Sequence, residues 1–152
     1  MKPEIAKLGH VALVSCELEK SLYFFKEIIG LEETEEVNGV HYLRAYSDFQ
    51  HHTLSIEAGE SGYVKHIGWR TKTPYCVEGF TQLLQQQNVE LTKVPKGTTP
   101  GIGDAIRFKL PRGHTFELYY DVEKPKANSE TASLLKNQVY KYNQIESEIV
   151  LL

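Results

Sequence analysis

Hydrophobic and polar residues alternate in several short runs along the chain, and two stretches with helical spacing interrupt them. The run over residues 8–14 predicts a strand, since successive strand side chains point to opposite faces. Residues 18–29 carry apolar side chains at helical spacing, which predicts a helix that ends at Gly30. Two strands joined at Asn38-Gly39, a pair typical of type I′ hairpins, come next, and residues 53–57 add another. This half therefore predicts the order β-α-β-β-β.

The second half of the chain repeats this pattern. Residues 64–70 resemble the first strand, with a histidine followed by a β-branched and a small residue in both. Thr73-Pro74 suits the start of a second helix, and three further strands are predicted at 89–94, 105–110 and 115–119. The sequence therefore predicts an α+β fold in residues 1–121. Two βαβββ modules, at about 5–59 and 63–121, pair into a curved, mostly antiparallel sheet with both helices outside.

Residues 122–152 differ in kind from the rest of the chain. They open with a polar linker and continue as a weakly helical C-terminal tail. The apolar residues of this tail have no obvious place in the predicted core, and exposed sheet edges are usually paired or covered. These two features predict a homodimer. The tail residues concerned are Leu134, Leu135, Ile145, Ile149, Leu151 and Leu152.

Composition and charge narrow the possible functions. Hydrophobic residues make up 41% and charged residues 24% of the 152, which is typical of a folded globular domain and not of a disordered chain. The net charge of −3, without a block of one sign, argues against nucleic-acid binding. No apolar run approaches the ~20 residues of a membrane helix, and the start lacks a signal-peptide core. We therefore expect a cytoplasmic protein without a membrane partner, in which Cys16 and Cys76 are reduced.

Strand alternation collects ionisable side chains on one face of the predicted sheet. If the apolar face packs on the helices, the opposite face carries His10, Glu57, His66 and Glu117. The small residues Ala12 and Gly68 follow the two histidines and would leave room beside them for a ligand. Two histidines and a carboxylate suit a divalent transition metal, as in the facial sites of non-heme Fe(II) oxygenases. The alternative is that each histidine forms local hydrogen bonds and each glutamate is solvated.

Two further features are candidates for chemistry. Tyr119 should share a face with Glu117, where its hydroxyl would donate a hydrogen bond to a substrate oxygen, so we treat it as a catalytic candidate. The pair His51-His52 precedes a predicted strand near the rim and is a candidate acid-base group. With no partner evident in the sequence, however, the pair is expected to be exposed.

Four segments resemble one known superfamily. They read LGHVALVSCELEKSLYFFKEIIGLEE, GVHYLRAYSDFQHHTLSIEAGE, VKHIGWRT and PRGHTFELYYD. They are similar to the vicinal oxygen chelate superfamily of glyoxalase I, bleomycin-resistance proteins, fosfomycin-resistance enzymes and extradiol dioxygenases. Over about residues 5–142, the closer likeness is to the N-terminal domain of catechol 2,3-dioxygenases.

The resemblance implies specific ligands and three alternative functions. His10, His66 and Glu117 match the ligand positions of the dioxygenases, which implies Fe(II), with Ni, Zn or Mn as alternatives, and a small catechol-like substrate. With Glu57 added, the set matches the four metal positions of a glyoxalase I-like isomerase. In the two-domain dioxygenases the iron lies in the second domain, so the third alternative is a metal-free binding or silent module.

Overall fold

The computed structural model describes residues 2–46 and 48–124. Eight strands and two helices follow one another in the order that the alternating pattern predicts. The elements are β1 (Ile5–Ser15), α1 (Leu18–Tyr23), β2 (Glu32–Val37), β3 (Val40–Arg44), β4 (Leu54–Ala58), β5 (Tyr63–Thr71), α2 (Pro74–Gln86), β6 (Thr92–Val94), β7 (Ala105–Lys109) and β8 (Thr115–Tyr119). The two predicted βαβββ modules are thus present.

All eight strands form one mixed sheet in the order β2-β3-β4-β1-β5-β8-β7-β6. The modules meet where β1 and β5 pair antiparallel, and we call this line the seam. Within each module the first and last strands pair in parallel, β1 with β4 and β5 with β8. The remaining neighbours pair antiparallel, which confirms the predicted, mostly antiparallel sheet. The seam therefore lies at the centre of the sheet.

The apolar face of the first module packs against α1, as predicted. Leu22 of α1 is buried in one cluster with Leu43, Leu54 and Ile56 of the strands. Val11 stands beside Leu54 and Leu13 beside Ile56 in the pairing of β1 with β4, so these residues share a face. The burial of these apolar side chains is the main favourable contribution to the stability of the module. The opposite face is left for polar side chains.

The first helix departs from the predicted regular spacing. It continues after Tyr23 as a π-helical turn over Phe24–Ile28, in which the Ile29 amide donates to the Phe24 carbonyl at 2.9 Å. A π-turn holds an extra residue per turn, so later side chains rotate away from the helical stripe. Ile28 and Ile29, the last two apolar residues of the predicted helical spacing, are consequently 61% and 54% exposed. Gly30 follows with a φ of +83°, the conformation expected of a terminating glycine.

The predicted turn agrees with the structure better than the predicted strand lengths do. Asn38 and Gly39 both have positive φ, 53° and 78°, as a type I′ turn requires. The strand predicted at 89–94 is shorter, because only Thr92–Val94 pairs with β7. Neither helix within the described ranges is long and apolar enough to cross a membrane. The predicted tail beyond residue 124 and its apolar residues lie outside the described part.

Candidate metal centre

Three neighbouring strands bring two histidines and one glutamate together. His10 of β1 and His66 of β5 approach with their Nε2 atoms 3.0 Å apart, and Oε1 of Glu117, from β8, lies 3.5 Å from Nε2 of His10. Each contributes one ligand atom to a group that spans no more than 4.8 Å. All three are buried, with Glu117 fully inaccessible and His10 1% exposed. Of the four predicted ligands, these three are therefore neighbours.

Strand register explains this convergence. His10 pairs with Gly68 across the seam, and Gly68 pairs in turn with Glu117. A Cβ atom at Gly68 would lie only 2.2 Å from Cε1 of His10, so the imidazole fills the space that the missing side chain leaves. The expectation that Gly68 leaves room for a ligand is thus wrong. Its lack of a side chain instead admits the His10 ring.

Glu57 lies outside the cluster. The pairing of β1 with β4 places Ser55 beside Ala12 and Glu57 beside Val14, whereas Glu117 stands beside Gly68. Ser55 is therefore the counterpart of Glu117 in the first module, and Glu57 lies two residues beyond that position. The Glu57 carboxylate accepts a hydrogen bond from the Lys65 ammonium at 2.6 Å instead.

Burial controls the protonation of the cluster. It lowers the pKa of His10 to about 3, and the neighbouring His66 and Arg107 act in the same direction. Burial also lowers the pKa of His66 to about 3, again assisted by Arg107. Both rings are consequently neutral at pH 7 and each carries a nitrogen lone pair. Burial raises the pKa of Glu117, while the Arg107 guanidinium opposes this rise.

A chain of hydrogen bonds orients His10. Its Nδ1 lies 3.3 Å from the Tyr119 hydroxyl, which donates to Oε1 of Gln50 at 3.4 Å. The Gln50 amide nitrogen donates in turn to the Gly9 carbonyl at 3.3 Å. Because the Tyr119 proton is given to Gln50, its oxygen accepts from Nδ1–H of His10, and the lone pair of His10 then resides on Nε2. The hydroxyl of Tyr119, predicted to face a substrate, thus contacts His10 and Gln50.

Arg107 is a charged neighbour that the sequence argument missed. It stands opposite Glu117 in the pairing of β7 with β8, and its Nε donates to Oε2 of Glu117 at 2.5 Å. Its Nη2 donates to the Thr99 hydroxyl at 3.2 Å. A signal was present, because a charge between the apolar Ile106 and Phe108 indicates the polar face of a strand. Arg107 binds one carboxylate oxygen and leaves the other facing His10.

His51 and His52 are buried, so their predicted exposure is wrong. Their Nδ1 atoms lie 2.9 Å apart, and Nε2 of His51 lies 2.7 Å from the Glu35 carboxylate. The His52 ring packs 5.0 Å from that of His10, and its Nε2 finds no hydrogen-bond partner within the described structure. Burial, followed by the charges of His10 and His51, lowers the pKa of His52 to about 2. Glu35 on β2 is the partner of His51, and the sequence alone could not indicate this contact because the two residues are far apart in the chain.

A cavity of about 340 Å³ opens beside the cluster, on the face of the sheet away from α1. Its size is at the lower end of the range of small-molecule sites. Arg107 connects it with the buried group, since this residue both lines the cavity and binds Glu117. The cavity lining includes Ala12, Tyr42, Ser55, Glu57, Lys65 and Arg107.

The donor set fits a divalent transition metal. Two nitrogens bound at right angles, each about 2.1 Å from one ion, lie about 3.0 Å apart, which is the separation of the two Nε2 atoms. Oε1 of Glu117 is buried and has no hydrogen-bond partner among residues 2–46 and 48–124. Two neutral imidazoles and a free carboxylate oxygen form the chemical set that such ions prefer. The residues present therefore fit the metal that the resemblance implies.

Comparison with known proteins supports the same family. Residues 64–123 match the family model of the catechol 2,3-dioxygenase-like N-terminal domain. The chain is 50% identical over 141 residues to a manganese-dependent 2,3-dihydroxybiphenyl 1,2-dioxygenase of Geobacillus genomosp. 3, covering 93% of this chain and 45% of that protein. It is 38% identical to a metapyrocatechase of Geobacillus stearothermophilus, covering 89% of this chain and 41% of the relative.

Solved structures agree with the sequence relatives. Homoprotocatechuate 2,3-dioxygenase of Brevibacterium fuscum superimposes with a TM-score of 0.75 at 28% identity, covering 81% of this chain and 39% of that one. The enzyme of the same name from Arthrobacter globiformis has the same TM-score at 30% identity and is covered to 38%. The chain spans less than half the length of these relatives. By its architecture, the matched family model and these relatives, the chain has the vicinal oxygen chelate fold and is a homologue of part of the extradiol dioxygenases.

Proposed function

We propose that this chain provides the metal site of an extradiol dioxygenase, which opens the ring of a small catechol-like diol beside its hydroxyls. Its metal ligands would be His10, His66 and Glu117, without Glu57. The observation that carries the proposal is that the ligand atoms of two neutral imidazoles and an unpartnered carboxylate oxygen, within the described structure, lie no more than 4.8 Å from one another. We propose Fe(II) as the ion, with Mn(II) as the second candidate because one relative is named manganese-dependent.

The residues around the ligands have distinct tasks in this proposal. When bound, the ion supplies Lewis acidity toward the diol and a centre at which diol and dioxygen meet. Tyr119 and Gln50 hold the His10 ring so that Nε2 keeps its lone pair toward the cluster. Arg107 binds Oε2 of Glu117, while Oε1 faces Nε2 of His10. We therefore assign Tyr119 as a positioning residue whose phenol acts through His10.

The neighbouring cavity is the proposed place of the aromatic substrate. Its volume suits one small ring, and Tyr42 and Ala12 provide apolar lining while Ser55 provides a hydroxyl. The relatives are named for catechol-type substrates: 2,3-dihydroxybiphenyl, catechol in metapyrocatechase and homoprotocatechuate. These three diols are consequently the first substrates to test.

A metal-free binding module is the second candidate function. The Arg107 guanidinium already provides a cation for the buried Glu117 carboxylate, so the cluster is compensated in charge without an ion. A four-ligand isomerase site, in contrast, requires Glu57, whose carboxylate is bound to Lys65. The geometry therefore favours the dioxygenase over the isomerase.

We further propose that the chain acts in the cytosol as a homodimer. Cys16 and Cys76 are free thiols, as in a reducing compartment. Tyr23, Ile28 and Ile29 expose apolar surface around the π-helical turn, which a second subunit would cover. Sedimentation-velocity experiments in which the chain remains a monomer at high protein concentration would contradict the dimer.

Anaerobic metal loading tests the proposed activity. The 152-residue chain is incubated with Fe(II) or Mn(II), and bound metal is measured before oxygen and each of the three diols are added. We expect one ion per chain and equimolar consumption of oxygen and diol, with both lost in His66→Ala. A chain that holds the ion but consumes neither reactant would contradict the dioxygenase. A chain that holds no ion would contradict the metal site itself.

A further inference from the structure

Glu117 is shared between two possible cation partners. One carboxylate oxygen, Oε2, accepts from Nε of Arg107, and the other, Oε1, faces Nε2 of His10. Glu117 is fully buried, whereas the Arg107 side chain is 26% exposed. A buried carboxylate without a partner is costly, so the ion pair with Arg107 stabilises the folded chain when no metal is present.

The charges of the cluster are balanced before an ion enters. Glu117 and Arg107 form an ion pair in which Nε of Arg107 lies against Oε2 of Glu117, so each charge already compensates the other. The Glu57 carboxylate is paired with the Lys65 ammonium. A divalent ion would therefore bring two uncompensated charges into a buried place, next to a guanidinium that repels it.

We propose, resting on the metal site of the proposed function, that Arg107 competes with the ion for Glu117 and thereby weakens metal binding while it stabilises the metal-free fold. Thr99 supports this role, because its hydroxyl accepts from Nη2 of Arg107 and holds the guanidinium against the carboxylate. Arg107 is thus a positioning residue that sets the metal affinity and acts only through Glu117.

Substitution of Arg107 tests the competition. Arg107→Met removes the charge but keeps an unbranched side chain, and Co²⁺ serves as the probe, with its visible absorption as the readout at pH 8. We expect Arg107→Met to bind Co²⁺ about tenfold more tightly than the unmodified chain. Without metal, we expect the same variant to melt at a lower temperature, and added Co²⁺ to raise its melting temperature more than that of the unmodified chain.

Two further variants separate the ion pair from general effects. Lys109→Met removes a positive charge from the same face of the same strand, where Lys109 stands opposite Thr115 and not opposite the cluster. It should leave the Co²⁺ affinity within about twofold, because an exposed charge is strongly screened. Arg107→Lys keeps the charge and should stay close to the unmodified chain in affinity. Arg107→Lys also tests the proposal if Arg107→Met folds poorly. Because Arg107→Lys retains the charge pair, a tenfold gain in its Co²⁺ affinity would contradict the competition.

The outcomes distinguish this inference from the proposed function. Tighter binding by Arg107→Met together with measurable binding by the unmodified chain supports both. Equal or weaker binding by the variant overturns the competition and leaves the metal site standing. Binding by the variant alone supports the competition but overturns the unmodified chain as a metalloenzyme. Binding by neither overturns both.

Discussion

The two modules place different side chains at equivalent positions of one sheet. Each contributes a histidine next to the seam, His10 in the first and His66 in the second. In the first module, Ser55 of β4 stands opposite Tyr42 of β3. At the corresponding place in the second module, Glu117 of β8 stands opposite Arg107 of β7. The neutral pair and the charged pair occupy corresponding places in the register of the closing strands.

This difference shows that the buried acid and its cation form one unit. The second module buries a carboxylate and supplies a guanidinium directly opposite on the adjacent strand. The first module supplies no cation at that place, where Tyr42 stands instead, and it has the uncharged Ser55 in place of a carboxylate. Burying an ion without a partner is far more costly than burying a hydroxyl. The repeated fold therefore brings three candidate ligands together and not a symmetrical set of four.

Removal of Glu117, which is the one buried carboxylate among residues 2–46 and 48–124, should have the largest effect. Glu117→Gln keeps the size of the side chain but removes its charge, so two neutral imidazoles remain as ligands. We expect the affinity for Co²⁺ to fall about a thousandfold, equivalent to about 4 kcal/mol. Isothermal titration calorimetry measures this loss. Glu57→Gln is the matched control and should bind almost as well as the unmodified chain. An equal loss in both variants would contradict the asymmetry.

Making the first module resemble the second should cost stability. Ser55→Glu buries a carboxylate beside Tyr42, without a guanidinium opposite. We expect the free energy of unfolding to fall by about 3 kcal/mol in urea titrations. Adding Tyr42→Arg to the same chain should recover part of this loss, which a double-mutant cycle quantifies. Strict additivity of the two substitutions would argue that the ion pair is not the relevant unit.

Filling the space beside His10 should displace its ring. Gly68→Ala places a methyl group 2.2 Å from Cε1 of His10, so the ring must move from its present position. We expect a destabilisation of about 2 kcal/mol and weaker Co²⁺ binding. Gly62→Ala is the control, because its added Cβ lies 3.8 Å from the nearest atom, the Val14 carbonyl oxygen. Unchanged metal affinity in Gly68→Ala would show that the ring position is not required.

Loss of the Tyr119 hydroxyl should have the smallest effect. Tyr119→Phe retains the ring but removes the acceptor of the His10 Nδ1 proton. We expect Co²⁺ to bind about tenfold less tightly, as is common for groups that orient metal ligands. Tyr120→Phe removes a hydroxyl one residue along and should leave the affinity unchanged. Equal affinities in the two variants would remove Tyr119 from the site.

The sequence predicted the faces of the strands better than their registers. Alternation has a period of two, so His10, His66 and Glu117 were assigned to one face without knowledge of their partners. Glu57 was assigned to the correct face but the wrong neighbour. Its partner depends on how β4 aligns with β1, and β1 also carries register shifts near His10 and after Ala12.

Residues outside the regular strands were the hardest to predict. Gln50 and His52 lie in the loop before β4, and no periodicity assigns loop side chains to a face. The loop nevertheless folds beneath the first strand, where the Gln50 side chain reaches the Gly9 carbonyl. Arg107 was predictable in principle from alternation, but its importance depends on Glu117 standing opposite, which is again a matter of register.

The hydrogen bonds across the seam affect how the chain opens. Separating β1 from β5 and β8 would break the contacts of His10 with His66 and Tyr119. Each buried polar group left without a hydrogen-bond partner costs about 1–3 kcal/mol. The two repeats should therefore not fluctuate as independent halves, although each has its own helix and strands. Backbone amides of β1 and β5 are expected to exchange with deuterium only through global unfolding, so that a repeated architecture behaves as a single cooperative folding unit.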